Sequence, residues 1–151
     1  MENIDQQALL ALRQNNIGRM FQRAARAYSD VALIKLRDYG HDGLTLFHTA
    51  LISNLDLEGN RITTLAQRAG VSKQAMGQLV GDLEQRGYIE RIPDPNDGRA
   101  TLIKFTEQGW QLLQDAYLVK LAIETEYTEI LGEAGMKELW RLLKGLIKSA
   151  D

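Results

Sequence analysis

The segment of residues 72–78 contains polar residues at helical spacing, and their side chains could bind nucleic acid. Ser72 and Lys73 are followed by Gln74 and Gln78, which lie four residues apart, so that a helix would place both amides on one face. A glutamine amide can hydrogen-bond the edge of adenine. The alternative is a solvated face, on which the same residues would only meet water.

Two glycines share that face. Gly77 and Gly81 are also four residues apart, and a glycine inside a helix costs roughly 1 kcal/mol relative to alanine. One explanation is that another surface must come very close to the helix at these positions. The alternatives are that the glycines relieve crowding inside the protein or are simply tolerated.

The polar run lies in the second of two predicted helices that are joined by a tight turn. The first helix is predicted over residues 64–69, and residues 70–71 form the turn. Ser72 is predicted to cap the second helix, which continues to about residue 86, and Gly87 fits the left-handed position after a helix end. The predicted buried stripe of the second helix consists of Met76, Leu79, Val80 and Leu83.

A short hairpin is predicted to follow. Residues 88–92 and 100–105 have the pattern of strands, and residues 93–98 form a dense turn signal. Arg99 lies beside the tip, where it could reach a narrow A·T-rich minor groove or could be a solvated loop arginine. Asp97 would orient Arg99, tighten the turn, or only form the turn before the following glycine.

The charge distribution favours a local nucleic-acid footprint, although the whole chain has a formal net charge of −2. Residues 61–104 contain seven basic and five acidic residues, whereas residues 105–135 contain one basic and six acidic residues. Arg61, Arg68 and Arg86 are candidate phosphate contacts within the basic block.

Helical patterns flank this unit on both sides. One long helix is predicted over residues 5–38, and a second, apolar helix over residues 44–55. After the hairpin, Thr106 is predicted to cap a helix that continues to about residue 131, and a final helix follows over about 136–148. These outer helices carry too much apolar surface to remain in water, so they must pack against something.

Four segments resemble the MarR family of transcriptional regulators. Residues 65–75 resemble its helix-turn-helix, and residues 79–89 resemble the end of its recognition helix. Residues 97–100, Asp-Gly-Arg-Ala, resemble the D-x-R-A/S signature of its wing. Residues 105–109 resemble the L-T-x-x-G that starts its next helix, with phenylalanine in place of leucine.

The resemblance implies a mainly α fold with a small β-hairpin. Residues 44–105 would form the winged helix-turn-helix, and helices in residues 1–38 and 107–151 would intertwine with those of a second copy in a homodimer. The implied function is sequence-specific binding to a double-stranded DNA operator, by a repressor that a small ligand releases. The operator, the regulated genes, the ligand and the choice between repression and activation stay open.

The resemblance also implies roles for particular residues. It directs Ser72, Lys73, Gln74, Gly77 and Gln78 toward the major groove and the wing arginine toward the flanking minor groove. The ligand would be a small aromatic or phenolic anion, in a pocket where the first two helices and the helix from residue 107 meet the winged helix. Candidates from that neighbourhood are Tyr39, Phe47, His48 and Trp110, for each of which core packing is the alternative.

Composition excludes several classes of protein. Cysteine is absent, which excludes disulfides, thiolate catalysis and cysteine metal sites. His41 and His48 lack a metal-site pattern, and no nucleophile–base pair, paired-carboxylate motif or phosphate loop appears, so we expect neither an enzyme nor a cofactor. The polar N-terminus and the lack of a long apolar run predict a cytoplasmic protein. A winged helix used only for protein contacts is the remaining alternative.

Overall fold

The computed structural model describes residues 5–148. In this range the chain is mainly helical and has one two-stranded sheet, which confirms the predicted fold class. The elements in chain order are α1 (Gln6–Gln14), α2 (Ile17–Asp38), α3 (Leu46–Asn54), α4 (Ile62–Ala69), α5 (Lys73–Gln85), β1 (Ile89–Asp94), β2 (Asp97–Phe105) and α6 (Glu107–Lys148). The predicted dimerisation segments extend to residues 1–4 and 149–151, which lie outside the described range.

The prediction of one long helix over residues 5–38 is wrong, because the helix is interrupted between α1 and α2. The Asn16 side chain accepts a hydrogen bond from the Arg19 N–H at 2.9 Å and donates one to the Leu12 carbonyl at 2.8 Å. An asparagine side chain competes with the backbone for helix hydrogen bonds, so it can end one helix and cap the next. The apolar spacing continues across the break and conceals it in the sequence.

The core of the winged helix lies between α3, α4, α5 and the hairpin. The predicted stripe of α5 is confirmed, since Met76, Val80 and Leu83 are fully buried and Leu79 is partly buried. On the other side, α2 packs along α6. Residues that are buried there extend the same core: Leu36, Leu112, Val119 and Ile123.

The helix-turn-helix differs from the prediction at its first helix. α4 begins at Ile62 rather than at residue 64, and no side chain caps it. Instead, the chain just before α4 is held in place by Asn60. Its backbone exchanges two hydrogen bonds with that of Ile103, of 3.1 and 2.8 Å. The cap of α5 is confirmed, since the Ser72 hydroxyl accepts a hydrogen bond from the Ala75 N–H at 3.1 Å.

The hairpin strands are longer than predicted. β1 and β2 pair antiparallel from Ile89 opposite Phe105 to Pro93 opposite Thr101, with an irregularity before the tip. A proline is tolerated in β1 because β1 is an edge strand, paired with β2 on one side only. The tip between the two strands, residues 95–96, is exposed.

α6 begins where the prediction places it. Thr106 accepts a hydrogen bond from the Gly109 N–H at 3.1 Å and donates one to the Gly87 carbonyl. A side chain at position 109 would not fit, because its Cβ would lie 2.0 Å from the Tyr88 carbonyl oxygen. The glycine therefore lets α6 pack directly on the start of the hairpin.

The predicted break in the C-terminal helix is present at Gly132, which has φ +72° and ψ 161°. A left-handed φ favours glycine, and the helix resumes immediately afterwards. The segment of α6 after this kink, residues 133–148, exposes large apolar side chains, among them Leu139, Trp140 and Leu142. Within residues 5–148, no helix combines the length and the apolar composition needed to cross a membrane.

Candidate nucleic-acid interface

The face of α5 opposite its buried stripe is polar and exposed. Lys73, Gln74 and Gln78 lie on the outside of α5, and no hydrogen bond or ion pair joins their side chains to any other residue in the described range. Ser72 is exposed at the start of the helix, with its hydroxyl already accepting the cap hydrogen bond. The structure thus brings these four predicted residues together on one surface.

The two glycines of α5 are not needed for packing inside the protein. A Cβ on Gly77 would make ordinary contact with the Ile62 side chain at 3.8 Å, and a Cβ on Gly81 would meet no atom within 4 Å. Internal crowding therefore explains neither glycine. Close approach of another surface and simple tolerance are the explanations that remain.

The tip of the wing is shaped by two aspartates. Asp97 accepts a hydrogen bond from the Arg99 N–H at 3.1 Å, and Asp94 accepts one from the Asn96 N–H at 2.9 Å. Asp97 therefore tightens the turn through the backbone of Arg99. The Arg99 side chain is exposed and has no partner among residues 5–148, so its guanidinium faces solvent.

Arg61, predicted as a phosphate contact, is bonded to the wing. Its Nη2 and Nε lie 2.7 and 2.9 Å from the same carboxylate oxygen of Asp94, and its Nη2 lies 3.4 Å from Asp97. The hydrogen bond from the Asn96 N–H and those from Arg61 hold the pKa of Asp94 below its usual range. The same pairing with Asp94 raises the pKa of Arg61.

The other two predicted phosphate contacts are also engaged within the protein. Arg68 donates to the Asn54 carbonyl at 3.0 Å and to Asp56 at 2.9 Å. Arg86 donates to Asp82 at 3.2 Å and to a carbonyl of the loop before α3 at 3.3 Å. Both guanidinium groups remain partly exposed. Most of these partners are far apart in the sequence, so the sequence alone does not predict that they pair.

His48 is a buried joint between α3 and α5, not a residue that faces a cavity. Its Nε2 lies 2.6 Å from the Asp82 carboxylate, and its Nδ1 accepts a hydrogen bond from the Thr45 N–H at 3.0 Å. Because Nδ1 accepts, Nε2 carries the proton that is donated to Asp82. Burial would raise the pKa of Asp82, but hydrogen bonds from Arg86 and His48 outweigh it and lower the pKa.

A second buried network, which sequence reasoning missed, joins the α2–α3 loop to α6 and to the residue before β1. The two ring nitrogens of His41 lie 3.0 Å from the Tyr88 hydroxyl and 2.9 Å from the Asp115 carboxylate. The other oxygen of Asp115 accepts a hydrogen bond from Gln111 at 3.1 Å. Burial raises the pKa of Tyr88. No local sequence signal indicates this network, because its members are separated by 47 and 74 positions.

A cavity of about 500 Å³ lies between α2, α3 and α6, where the resemblance places a ligand pocket. None of the four residues predicted for a ligand pocket lines this cavity, and their role in ligand binding stays a prediction. Tyr39, Phe47 and Trp110 are exposed rather than in the core, although the Trp110 ring lies 6.3 Å from that of Phe105. The residues that line the cavity include Tyr28, Leu36, Thr49, Ile52, Tyr117 and Lys120.

A helix-turn-helix followed by a hairpin, with long helices on both sides, defines a winged helix-turn-helix protein. Residues 42–100 match the family model described as MarR family. Over this segment the chain is similar to the MarR family, and its described residues have the winged-helix fold of the solved MarR structure.

Individual relatives agree with this similarity. The transcriptional activatory protein BadR of Rhodopseudomonas palustris is 28% identical over 73% of this chain and 64% of its own length. The chain spans just under two thirds of the length of the first curated relatives it matches. Wild-type MarR of E. coli, in its apo form, superposes with a TM-score of 0.71, at 24% identity, over 87% of this chain and 97% of that chain.

A solved structure with a bound ligand has the same fold. The PcaV transcriptional regulator of Streptomyces coelicolor, in complex with its natural ligand, superposes with a TM-score of 0.66. Its identity to this chain is 19%, and the match covers 100% of both chains. At this identity the likeness concerns the fold alone.

Proposed function

We propose that this chain is a sequence-specific DNA-binding regulator of transcription, which places α5 in the major groove. The observation that carries the proposal is the exposed face of α5, where Lys73, Gln74 and Gln78 have no partner within residues 5–148. Water alone gives no reason for two helix-weakening glycines beside two glutamines. A DNA groove accounts for both, since the glycines admit the groove walls and the amides match adenine.

The proposed contacts differ in kind along this surface. Gln74 and Gln78 would contact base edges, Ser72 and Lys73 would contact the major-groove phosphates, and Gly77 would allow close approach. Arg99 would enter the flanking minor groove, on a turn that Asp97 shapes. Arg68 and Arg86, which already bind protein groups, would contribute only at the rim of the footprint.

We propose that the regulator is a homodimer built from its outer helices. Large apolar side chains are exposed on α1, α2 and α6, as expected of an interface that a second copy covers. Examples are Leu9, Leu12, Ile17, Phe21, Leu139, Trp140, Leu142 and Ile147. A dimer would present two copies of α5 to half-sites about one helical turn apart, roughly 34 Å.

The cavity between α2, α3 and α6 supports a ligand of the predicted class, a small aromatic or phenolic anion. Its volume of about 500 Å³ is typical of small-molecule sites. Tyr28 and Tyr117 would pack on an aromatic ring, and the ammonium of Lys120 would attract a carboxylate. A ligand that binds only the conformation unable to hold DNA would release the operator, which makes the protein a ligand-relieved repressor. Salicylate should then raise the melting temperature, and Lys120→Met should remove that rise.

The experiment that tests the function is selection of DNA fragments from the source genome, followed by gel-shift titration of the enriched fragments. We expect a small set of fragments to be bound far more tightly than bulk DNA at physiological salt. The position of the selected sites relative to promoters, with reporter assays, distinguishes repression from activation. Since the regulator acts on chromosomal DNA, we place it in the cytoplasm, with a binding role rather than a catalytic one.

The alternative, a winged helix that contacts only proteins, predicts a different result. No fragment would then be enriched, and any binding to DNA would be weak, equal for all sequences and abolished by moderate salt. Such a result would contradict the proposed function.

A further inference from the structure

The wing is hydrogen-bonded to the residues just before α4 at two positions along the hairpin. At its base, the backbone of Asn60 exchanges hydrogen bonds of 3.1 and 2.8 Å with that of Ile103 on β2. At its tip, the next residue in the chain, Arg61, reaches the wing with its side chain and donates two hydrogen bonds to Asp94, of 2.9 and 2.7 Å. Two consecutive residues therefore hold opposite ends of the hairpin.

One of the two side chains in the contact at the tip is buried, and the other is partly exposed. The Asp94 side chain is 6% exposed, whereas that of Arg61 is 44% exposed. The two oxygens of Asp94 are used by different groups, one by the Asn96 N–H and one by Arg61. Without Arg61, a nearly buried carboxylate would lose its cation, which is costly in a poorly solvated position. The wing tip would have to rearrange to solvate it.

The contact also reaches Asp97, whose carboxylate binds the backbone of Arg99. The second oxygen of Asp97 lies 3.4 Å from the Arg61 guanidinium, and its first oxygen accepts the Arg99 N–H at 3.1 Å. The chain of contacts thus runs from α4 through a carboxylate to the backbone of the exposed wing arginine. Arg61 faces these carboxylates, which neutralise its charge locally.

We propose that Arg61 is a positioning residue for DNA binding, which holds the wing through Asp94 and Asp97 and thereby fixes where Arg99 meets the minor groove. The proposal rests on the DNA-binding function proposed above and replaces the role of Arg61 as a phosphate contact. A fork of two N–H groups on one oxygen requires a guanidinium, which lysine cannot reproduce. A phosphate contact, in contrast, requires only a positive charge.

This difference sets the first test, which compares Arg61→Lys, Arg61→Gln and Asp94→Asn in operator titrations over a salt series. We expect all three variants to bind about tenfold more weakly and to lower the salt slope by about one, because the contact of Arg99 is lost in each. For Asp94→Asn, the two explanations predict opposite changes in DNA affinity. Removing a negative charge near DNA should strengthen binding if charge alone matters, whereas the proposal predicts weakening.

Two further variants make the test specific. In an Arg99→Ala background, Arg61→Lys should cause no additional loss, because both changes remove the same contact. Arg91→Lys is the matched control, since Arg91 lies on β1 and pairs with Glu84 at 3.0 Å, away from the tip. It should bind DNA like the wild type. Additive losses for residues 61 and 99 would overturn the proposal.

The second test needs no DNA and measures amide hydrogen exchange of the free protein. The N–H groups of Asn96 and Arg99 should exchange faster in Arg61→Lys and Asp94→Asn than in the wild type, and at the wild-type rate in Arg91→Lys. Thermal melts of every variant check that it is folded. Unchanged exchange, together with wild-type binding by Arg61→Lys, would make Arg61 a phosphate contact and overturn the proposal. If the wild type binds no DNA, the proposed function fails, while the exchange result still decides whether Arg61 holds the wing.

Discussion

In the proposed function, the wing's part in DNA binding depends on Arg99. Its side chain has no partner within the described residues, so Arg99→Ala should remove no contact that stabilises the fold. If it enters the minor groove, the substitution should cost on the order of 1–3 kcal/mol of binding. It should also flatten the preference for A·T-rich flanks and reduce the salt slope by about one. Operator titrations over a salt series, with thermal melts, measure each effect.

An unchanged affinity at every salt concentration, with an unchanged melt, would return Arg99 to a solvated loop residue. The wing would then contribute nothing to binding beyond its fold.

Gly81 tests the close approach of α5 more cleanly than Gly77, because nothing lies within 4 Å of its missing Cβ. Gly81→Ala and Gly81→Leu should both leave the protein folded and raise its stability by up to about 1 kcal/mol, since both residues favour helix. Only the larger leucine should abolish operator binding by blocking the groove. Melting temperatures and gel shifts of the two variants separate the effects. Normal binding by Gly81→Leu would leave simple tolerance as the explanation of the glycine.

At the scale of elements, the joint between α4 and the wing should depend on pH. The lowered pKa of Asp94 means that the folded protein protonates this group less readily than the unfolded chain does. The stabilisation is therefore complete above the unfolded pKa, about 4, and is lost as the pH falls through the lower folded pKa. Urea unfolding from pH 3 to 7 should show a stability gap between wild type and Asp94→Asn that narrows below about pH 4. A gap that is constant across this range would contradict the role of the ionised carboxylate.

The elements themselves were largely predictable because their signals are local. The stripe of α5, the cap at Ser72 and the strands around the wing each depend on residues a few positions apart. The break before α2 was missed because one asparagine outcompetes an apolar pattern that continues across it. The start of α4 was misplaced because the bridge to Ile103, and not a capping side chain, fixes the chain before it.

The candidate site was predictable only in part, for the same physical reason. The exposed residues of α5 follow from helical spacing once the buried stripe is known. The partners of Arg61 and Arg68 do not, because tertiary folding brings them together from 12 to 36 positions away. The cavity lies between the elements that the prediction names, but its lining differs from the predicted residues, since the rotation of each helix decides which side chains line it.

At the scale of the whole molecule, the exposed apolar surfaces of α1, α2 and α6 predict a stable dimer. Light scattering at micromolar concentration should give about twice the chain mass of 17.0 kDa. Trp140→Glu, which would bury a charge in the proposed interface, should lower that mass or unfold the protein. A wild-type chain that is folded and monomeric at that concentration would contradict the dimer and the spacing of its two recognition helices.

The exposed face of α5 is proposed to recognise base sequence. The most direct measurement is a competition titration, at one salt concentration, of a selected genomic fragment against a scrambled fragment of equal length. The wild type should bind the selected fragment at least about 10³-fold more tightly. Gln78→Ala should weaken that binding by about 1–3 kcal/mol and leave the scrambled fragment unaffected. Equal binding of both fragments by the wild type, or equal losses on both in the variant, would contradict the claim.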